Sequence, residues 1–320
     1  MNPAPLAPSV LRPAGPVAQV IAEMGWVLII GGSLVFCAVM LALVWALRQP
    51  RAPAAAAAAG HRRAVAWWVL GGGFVFPVLV LSALLAYASA RTAALAPQRL
   101  PQEPVITVTA HMWWWQVRYD DPAGGSTVVA ANEIHLPAGR AVTLGLASAD
   151  VIHAFWVPAL AGKVDMVPGR VHQLRLQADA PGVLRGQCAE FCGEQHARMA
   201  LHVVVHPAAG FDAWLAAQAL AARPPATALA QRGLQVFLAQ RCSACHTVRG
   251  LGPEATIGPD LTHIGSRLNL GAGTVPMSRD ALRDWVLRPQ HVKPGVRMPA
   301  YAHLDDDALQ ALLAFLEQLQ

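Results

Sequence analysis

The sequence predicts a multi-domain chain: a two-helix transmembrane hairpin, then an all-β sandwich, then an all-α domain. Three observations carry this. Two long uncharged runs lie near the N-terminus, short alternating segments with turn residues follow from about residue 104, and the apolar spacing becomes helical from residue 229. At 320 residues, two or three domains are expected. The chain is 55% hydrophobic and 13% charged, against roughly 45–50% and 25% in soluble domains, so the excess has to sit in a membrane or an unusually large core. The net charge of +5 is spread out, and no basic run is interleaved with aromatics, which argues against a nucleic-acid partner.

Residues 1–23 are Pro- and Ala-rich and lack the compact basic, apolar and cleavage regions of a signal peptide. Met24 to Leu47 is 24 residues without a charge. At ~1.5 Å per residue that crosses a bilayer core of roughly 30 Å. Ala64 to Ala90 is a second uncharged run, 27 residues long, whose Gly71-Gly-Gly73 and Pro77 are tolerated in a membrane helix. Arg48, Arg51, Arg62 and Arg63 in the loop between them place that loop in the cytoplasm. Both termini and the later domains then lie on the other side, the periplasm of a bacterial inner membrane.

Strands are expected at Val105–Thr109, Trp113–Tyr119, Val128–Leu136, Ala141–Ala147, His172–Gln177 and Leu201–Val205, with turns at 121–125, 137–139 and 167–169. Phe211–Ala222 reads as a short helix, and Arg223-Pro-Pro-Ala-Thr227 as the linker. Leu229–Arg241, Ser278–Leu287 and Asp305–Leu319 read as helices, the last opening on an acidic turn that suits a helix N-terminus. The divisions are therefore 1–95, 96–208, 209–228 and 229–320.

Two motifs carry chemistry. Cys188-Ala-Glu-Phe-Cys-Gly-Glu-Gln-His-Ala-Arg-Met199 holds two thiols, an imidazole and a thioether, and His153 lies 35 residues before it. Soft and borderline donors of this kind select copper, and these residues are expected in loops between the late strands of the sandwich. Two thiolates, two imidazoles and a thioether suit two coppers bridged by the sulfurs. The competing reading of Cys188 and Cys192 is a disulfide, which close free thiols form in an oxidising compartment unless metal holds them. With no exchangeable position for substrate, the centre is an electron relay. Cys242-Ser-Ala-Cys-His246 is the c-type haem attachment motif, whose thiols add to the haem vinyls. The sixth iron ligand is expected to be Met298, with Met277 as the alternative. In Trp113-Trp-Trp115 the alternation of a strand puts Trp113 and Trp115 on one face and Trp114 on the other; the readings are sandwich-core packing with one aromatic at the membrane surface, or an aromatic electron port above the copper site.

Hairpin, sandwich and Cys-x-x-x-Cys-x-x-x-His-x-x-Met, from about Gly25 to His206, resemble subunit II of haem–copper cytochrome c oxidase, in the variant with a cytochrome c fused behind it. His111-Met-Trp-Trp-Trp115, Asp150-Val-Ile-His153 and Lys163-Val-Asp-Met-Val-Pro-Gly-Arg170 add to the likeness. The resemblance implies a cupredoxin-like sandwich and a class I cytochrome c domain. It implies a dinuclear copper A centre on His153, Cys188, Cys192, His196, Met199 and the backbone carbonyl of Glu190. The Glu190 side chain would reach a magnesium ion shared with subunit I, Trp113 would be the point where electrons enter, and Asp150, Asp165 and Arg170 would face subunit I. It departs from the family at Leu70, apolar where many members carry a glutamate at a proton-channel mouth. Either the proton entrance is built differently or the chain belongs to a divergent branch.

The expected activity is that of a cytochrome c oxidase: electrons accepted at haem c, passed to copper and on to subunit I, where dioxygen is reduced to water with proton translocation. Partners are subunit I and other oxidase subunits, membrane lipid, and an upstream donor, a soluble or membrane cytochrome c or a quinol–cytochrome c reductase. Fusion replaces a diffusional encounter by a tethered one, at an effective concentration on the order of millimolar. The alternatives are the dicopper subunit of a nitric oxide reductase and a membrane-anchored carrier with no oxidase partner.

Overall fold

A computed structural model describes residues 8–49, 63–93, 95, 105–120 and 127–320. Residues 1–7, most of the arginine-bearing loop and the turn at 121–125 lie outside the described residues. The chain divides into two compact units, Val20–Gln98 and the remainder. The first of these holds most of α1 (Pro16–Arg48) and all of α2 (Arg63–Ala93), both long and apolar enough to cross a membrane. They overrun the uncharged stretches at both ends. Arg91 near the end of α2 pairs with Glu23 near the start of α1, as in an antiparallel hairpin. Within α2, Trp67–Val75 winds as a π-helix around Gly71-Gly-Gly73.

In the other unit, ten strands form two five-stranded sheets. These are β1 (Val105–His111), β2 (Trp114–Tyr119), β3 (Val128–Ala131), β4 (Glu133–Pro137), β5 (Val142–Ser148), β6 (His153–Trp156), β7 (Val164–Met166), β8 (His172–Leu176), β9 (Gly182–Cys188) and β10 (Ala200–His206). One sheet runs β3-β2-β1-β5-β8 and the other β4-β10-β9-β6-β7. Alternate residues of β1 and β2 are buried, and Trp115, Phe155, Leu144 and Leu146 meet in a fully buried core.

Three expectations are corrected. The stretch 128–136 is two strands in different sheets, because Asn132 turns the chain at φ 64° and its side chain accepts from the Trp115 amide at 2.9 Å. Asparagine tolerates that left-handed conformation better than most residues. Trp113 lies in the turn before β2 rather than in the strand, so the alternation argument fails for it. His153 and Cys188 are the first residue of β6 and the last of β9, not loop residues. Strands β6, β7 and β9 were not anticipated at all.

After the sandwich, α3 (Ala208–Ala219) ends three residues earlier than expected and packs Phe211 and Trp214 on the sandwich core; the helical domain that follows comprises α4 (Ala228–Ala239), α5 (Arg279–Leu287), α6 (Pro289–Val292) and α7 (Asp306–Gln318). A two-residue ladder joins β11 (Asn269–Leu270) to β12 (Val275–Pro276). Side-chain caps start three helices: Thr227 accepts from Ala230 N at 3.1 Å, Ser278 from Ala281 N at 3.1 Å and Asp305 from Ala308 N at 2.7 Å. α4 crosses α7 at Gly233, where a Cβ would come 2.0 Å from the Ala311 carbonyl oxygen. Phe237 and Phe315 pack beside that crossing with ring centroids 5.6 Å apart.

Candidate metal centre

Sheet register brings the first set of donors together. β6 pairs with β9 so that Phe155 lies opposite Cys188, which sets His153 two residues away on the same ladder. β9 and β10 pair antiparallel from Gln187 and Ala200 outward, so residues 189–199 close the end of a hairpin. The Cys188 amide donates to the Met199 carbonyl at 2.9 Å, and a short 3₁₀ turn at His196–Arg198 folds His196 back. Loop closure is thereby fixed by backbone bonds on both sides.

The two cysteine sulfurs are free thiols 3.8 Å apart. His153 Nδ1 is 3.8 Å from Cys188 Sγ, and His196 Nδ1 is 3.5 Å from Cys192 Sγ. Met199 Sδ is 3.8 Å from Cys192 Sγ, and the Glu190 carbonyl oxygen is 3.2 Å from Cys188 Sγ. His153, Cys188, Cys192 and Met199 are buried. Among the described residues, His153, Cys188 and Cys192 form a group of ligand atoms within 4.8 Å of one another. Two central sulfurs, one imidazole beside each, and a thioether and a carbonyl as weaker donors fit a sulfur-bridged copper pair. A hard cation would want oxygen donors instead.

Electrostatics divide the donors: Cys188 is favoured as the ligating thiolate, whereas Cys192 and His153 are favoured in protonated forms whose protons a metal would displace. The Cys192 thiol hydrogen-bonded to Cys188 holds Cys188 down to about 3 despite burial, and the proton so held pushes Cys192 up. Burial pulls the His153 pKa down, but the Cys188 sulfur and the Asp150 carboxylate outweigh it and raise it. Asp150 Oδ1 lies 2.8 Å from His153 Nε2, and its Oδ2 accepts from the Met112 amide at 2.7 Å. Asp150 thus fixes the ring with Nδ1 toward the sulfurs, the outer carboxylate that ligating histidines commonly use. The resemblance implies only that Asp150 faces subunit I, and the contact with His153 was not read from the sequence.

The second set surrounds one cavity. Cys242, Cys245, His246 and Met298 all line it, with Phe237, Leu282, Val286 and Leu316 as apolar wall. Met277 borders a different pocket. His246 Nδ1 donates to the Pro259 carbonyl at 2.7 Å, so Nε2 is the nitrogen left for iron. Gly258 is required beside it, because a Cβ there would come 2.6 Å from His246 Cε1. An apolar cavity, two thiols at its edge, an imidazole with one free nitrogen and a thioether fit a covalently held haem.

Trp113 joins the two sets. Its Nε1 donates to the Cys192 carbonyl at 2.8 Å, and with Met112 and Trp114 it lines the same cavity as His246 and Met298. Trp114 stacks on His111 at 4.4 Å, whereas Trp115 is buried edge-on to Phe155 at 6.0 Å. Glu190 is half-exposed, its carboxylate 3.4 Å from Lys163 Nζ. Asp165 faces the same lysine at 3.6 Å.

A family model described as the periplasmic domain of cytochrome c oxidase subunit II matches residues 105–206, and a cytochrome c model matches residues 230–320. A protein named cytochrome c oxidase subunit 2 from Alkalihalophilus pseudofirmus is 38% identical over 215 residues, 67% of this chain and 61% of that one. The like-named protein of Bacillus sp. (strain PS3) is 29% identical over 272 residues, 81% of this chain and 75% of its own. That of Branchiostoma floridae is 30% identical over 172 residues, 48% of this chain and 72% of its own. The chain thus spans about three fifths of the first relative and close to three quarters of the other two. On both family matches and on these relatives, the chain belongs to the cytochrome c oxidase subunit II family, with a cytochrome c domain behind the subunit II domain.

Proposed function

We propose that the chain is the subunit through which electrons enter a respiratory cytochrome c oxidase. It is anchored by α1 and α2 in a bacterial inner membrane, with both termini and both redox domains in the periplasm. When bound, a covalent haem c and a dinuclear copper A centre supply one-electron transfer from a cytochrome c or quinol–cytochrome c reductase toward haem in subunit I, where dioxygen is reduced to water with proton translocation.

The chain's own residues hold and orient. Cys242 and Cys245 would bind the haem through thioethers, and His246 and Met298 would hold its iron. His153, Cys188, Cys192, His196, Met199 and the Glu190 carbonyl are the copper donors, and the Glu190 carboxylate is the candidate for magnesium at the subunit I boundary. Asp150 orients His153, and the Pro259 carbonyl orients His246. Burial keeps water from the sulfurs. Exposed Val151, Ile152 and Phe191 lie on loops beside the copper donors, apolar surface of the kind a partner subunit covers.

The observation that carries this reading is Trp113. Its indole touches the haem cavity and is hydrogen-bonded to the backbone of a copper cysteine. Purification in mild detergent tests the reading. Co-purification of further subunits, haem beyond the covalent one, and oxygen consumption are expected. A chain that arrives alone, with covalent haem only, would be a carrier. A complex that reduces nitric oxide and not dioxygen would be the other alternative.

A further inference from the structure

The linker predicts a haem domain on a tether, but the contacts describe a fixed joint. Lys293, at the C-terminal end of α6, is 1% exposed. Its Nζ reaches the carbonyl oxygens of Trp113 at 2.9 Å, Arg198 at 2.8 Å and Gly271 at 2.8 Å. An ammonium has three donors, and here all three are used on backbone. Two acceptors belong to the sandwich and one to the haem domain. Lysine is almost never fully buried without a carboxylate partner, and burial draws this one down to about 7. A group held at that cost marks a joint that the fold maintains.

Other bonds follow the same seam. Ala200 N donates to the Ala272 carbonyl at 2.9 Å, Leu268 N to Glu133 Oε1 at 2.6 Å, and Arg198 Nη1 to the Val292 carbonyl at 2.8 Å. The segment that leads into the linker is pinned as well. Arg249 Nη2 donates to the Gln218 carbonyl at 2.6 Å, and the Ala222 amide to the Arg249 carbonyl at 2.9 Å. We propose that Lys293 is a positioning residue that locks the haem domain against Trp113, making the two domains one rigid electron-transfer unit. This rests on the proposed function for its consequence, though the joint itself does not.

The chain's two lysines give an internal control, because Lys163 has a half-exposed side chain. The full chain, loaded with its cofactors and in detergent, is treated with an amine-acylating reagent and both sites are followed by mass spectrometry. Lys293 is expected to react at least tenfold more slowly than Lys163. Equal rates would overturn the joint, whatever the cofactors do. In Lys293→Met, haem-to-copper transfer is expected to slow at least tenfold, with the haem potential and the near-infrared copper band unchanged. An unchanged rate with both signatures intact would also overturn it. A variant that loses either signature hands the decision to the wild-type labelling. A wild-type chain that protects Lys293 yet shows no copper band sinks the proposed function and leaves the joint standing.

Discussion

The copper and haem regions assemble their ligands in opposite ways. The proposed copper donors already touch one another, with sulfur and nitrogen contacts of 3.5–3.8 Å and a backbone bond at each end of the loop. The proposed haem ligands instead share only a cavity, its walls supplied by α4, α5 and α7. A small ion pair needs donors converging on a point, which a hairpin end between paired strands provides. A large planar group needs a slot, and helices leave one. The copper region should therefore fail at single donors, and the haem region should tolerate single losses as long as the thioether bonds hold.

The hardest test of that contrast is Cys192→Ser. Removing one central sulfur should abolish the near-infrared band and the mixed-valence electron spin signal together, while the haem absorption stays. A variant that keeps both copper signals would break the assignment of Cys192. Met298→Leu is the counterpart. Haem should remain covalently attached, but its reduction potential should fall by a sizeable part of the ~0.8 V range that axial ligands span, with the copper signals untouched. Redox titration decides, and Met277→Leu, which borders another pocket, should leave the potential where it is. If the Met277 variant moves it instead, the two methionines have been exchanged.

Asp150→Asn probes the copper region one shell out. The amide can still meet His153 Nε2 but no longer as a charged partner, so copper affinity should drop by about 10- to 100-fold, measured by chelator competition. The haem potential should not respond. An unchanged affinity would leave Asp150 as a residue that only holds the Met112 turn.

Much of this was legible in the sequence, and unevenly. Cys188–Met199 reads directly because donor softness and close spacing survive any fold. The two long apolar helices read from length and charge, and Ser278 and Asp305 mark helix starts because capping is local. Strand β9 did not read, since Arg185, Gly186 and Gln187 carry little strand signal, although β9 is what delivers Cys188 to His153. β7 is three residues long, too short for periodicity. Trp113 was placed in a strand because alternation cannot see a turn. Asp150 on His153 and Lys293 under Trp113 both come from register or docking between segments far apart in the chain, and composition holds no trace of either.

The smallest expected effect separates the sandwich from its metal. His135 Nδ1 lies 2.7 Å from His206 Nε2, and Trp214 of α3 stacks on His135 at 3.8 Å and 6°. Burial lowers the pKa of His135 and takes that of His206 down to about 4. In the unfolded chain both titrate near ~6.5. Between about 6.5 and 4 the unfolded state therefore binds more protons than the folded state, so stability falls as the pH falls through that window and levels off below it. The copper-free chain should show this slope in denaturant titrations followed by tryptophan fluorescence. His206→Phe should lower stability at neutral pH, because His135 loses its partner, yet flatten the slope. The two effects have opposite causes and are separable by pH alone. An unflattened slope would place the acid sensitivity elsewhere, in the copper donors themselves, and would tie the stability of the sandwich to the metal site more closely than the preassembled geometry implies.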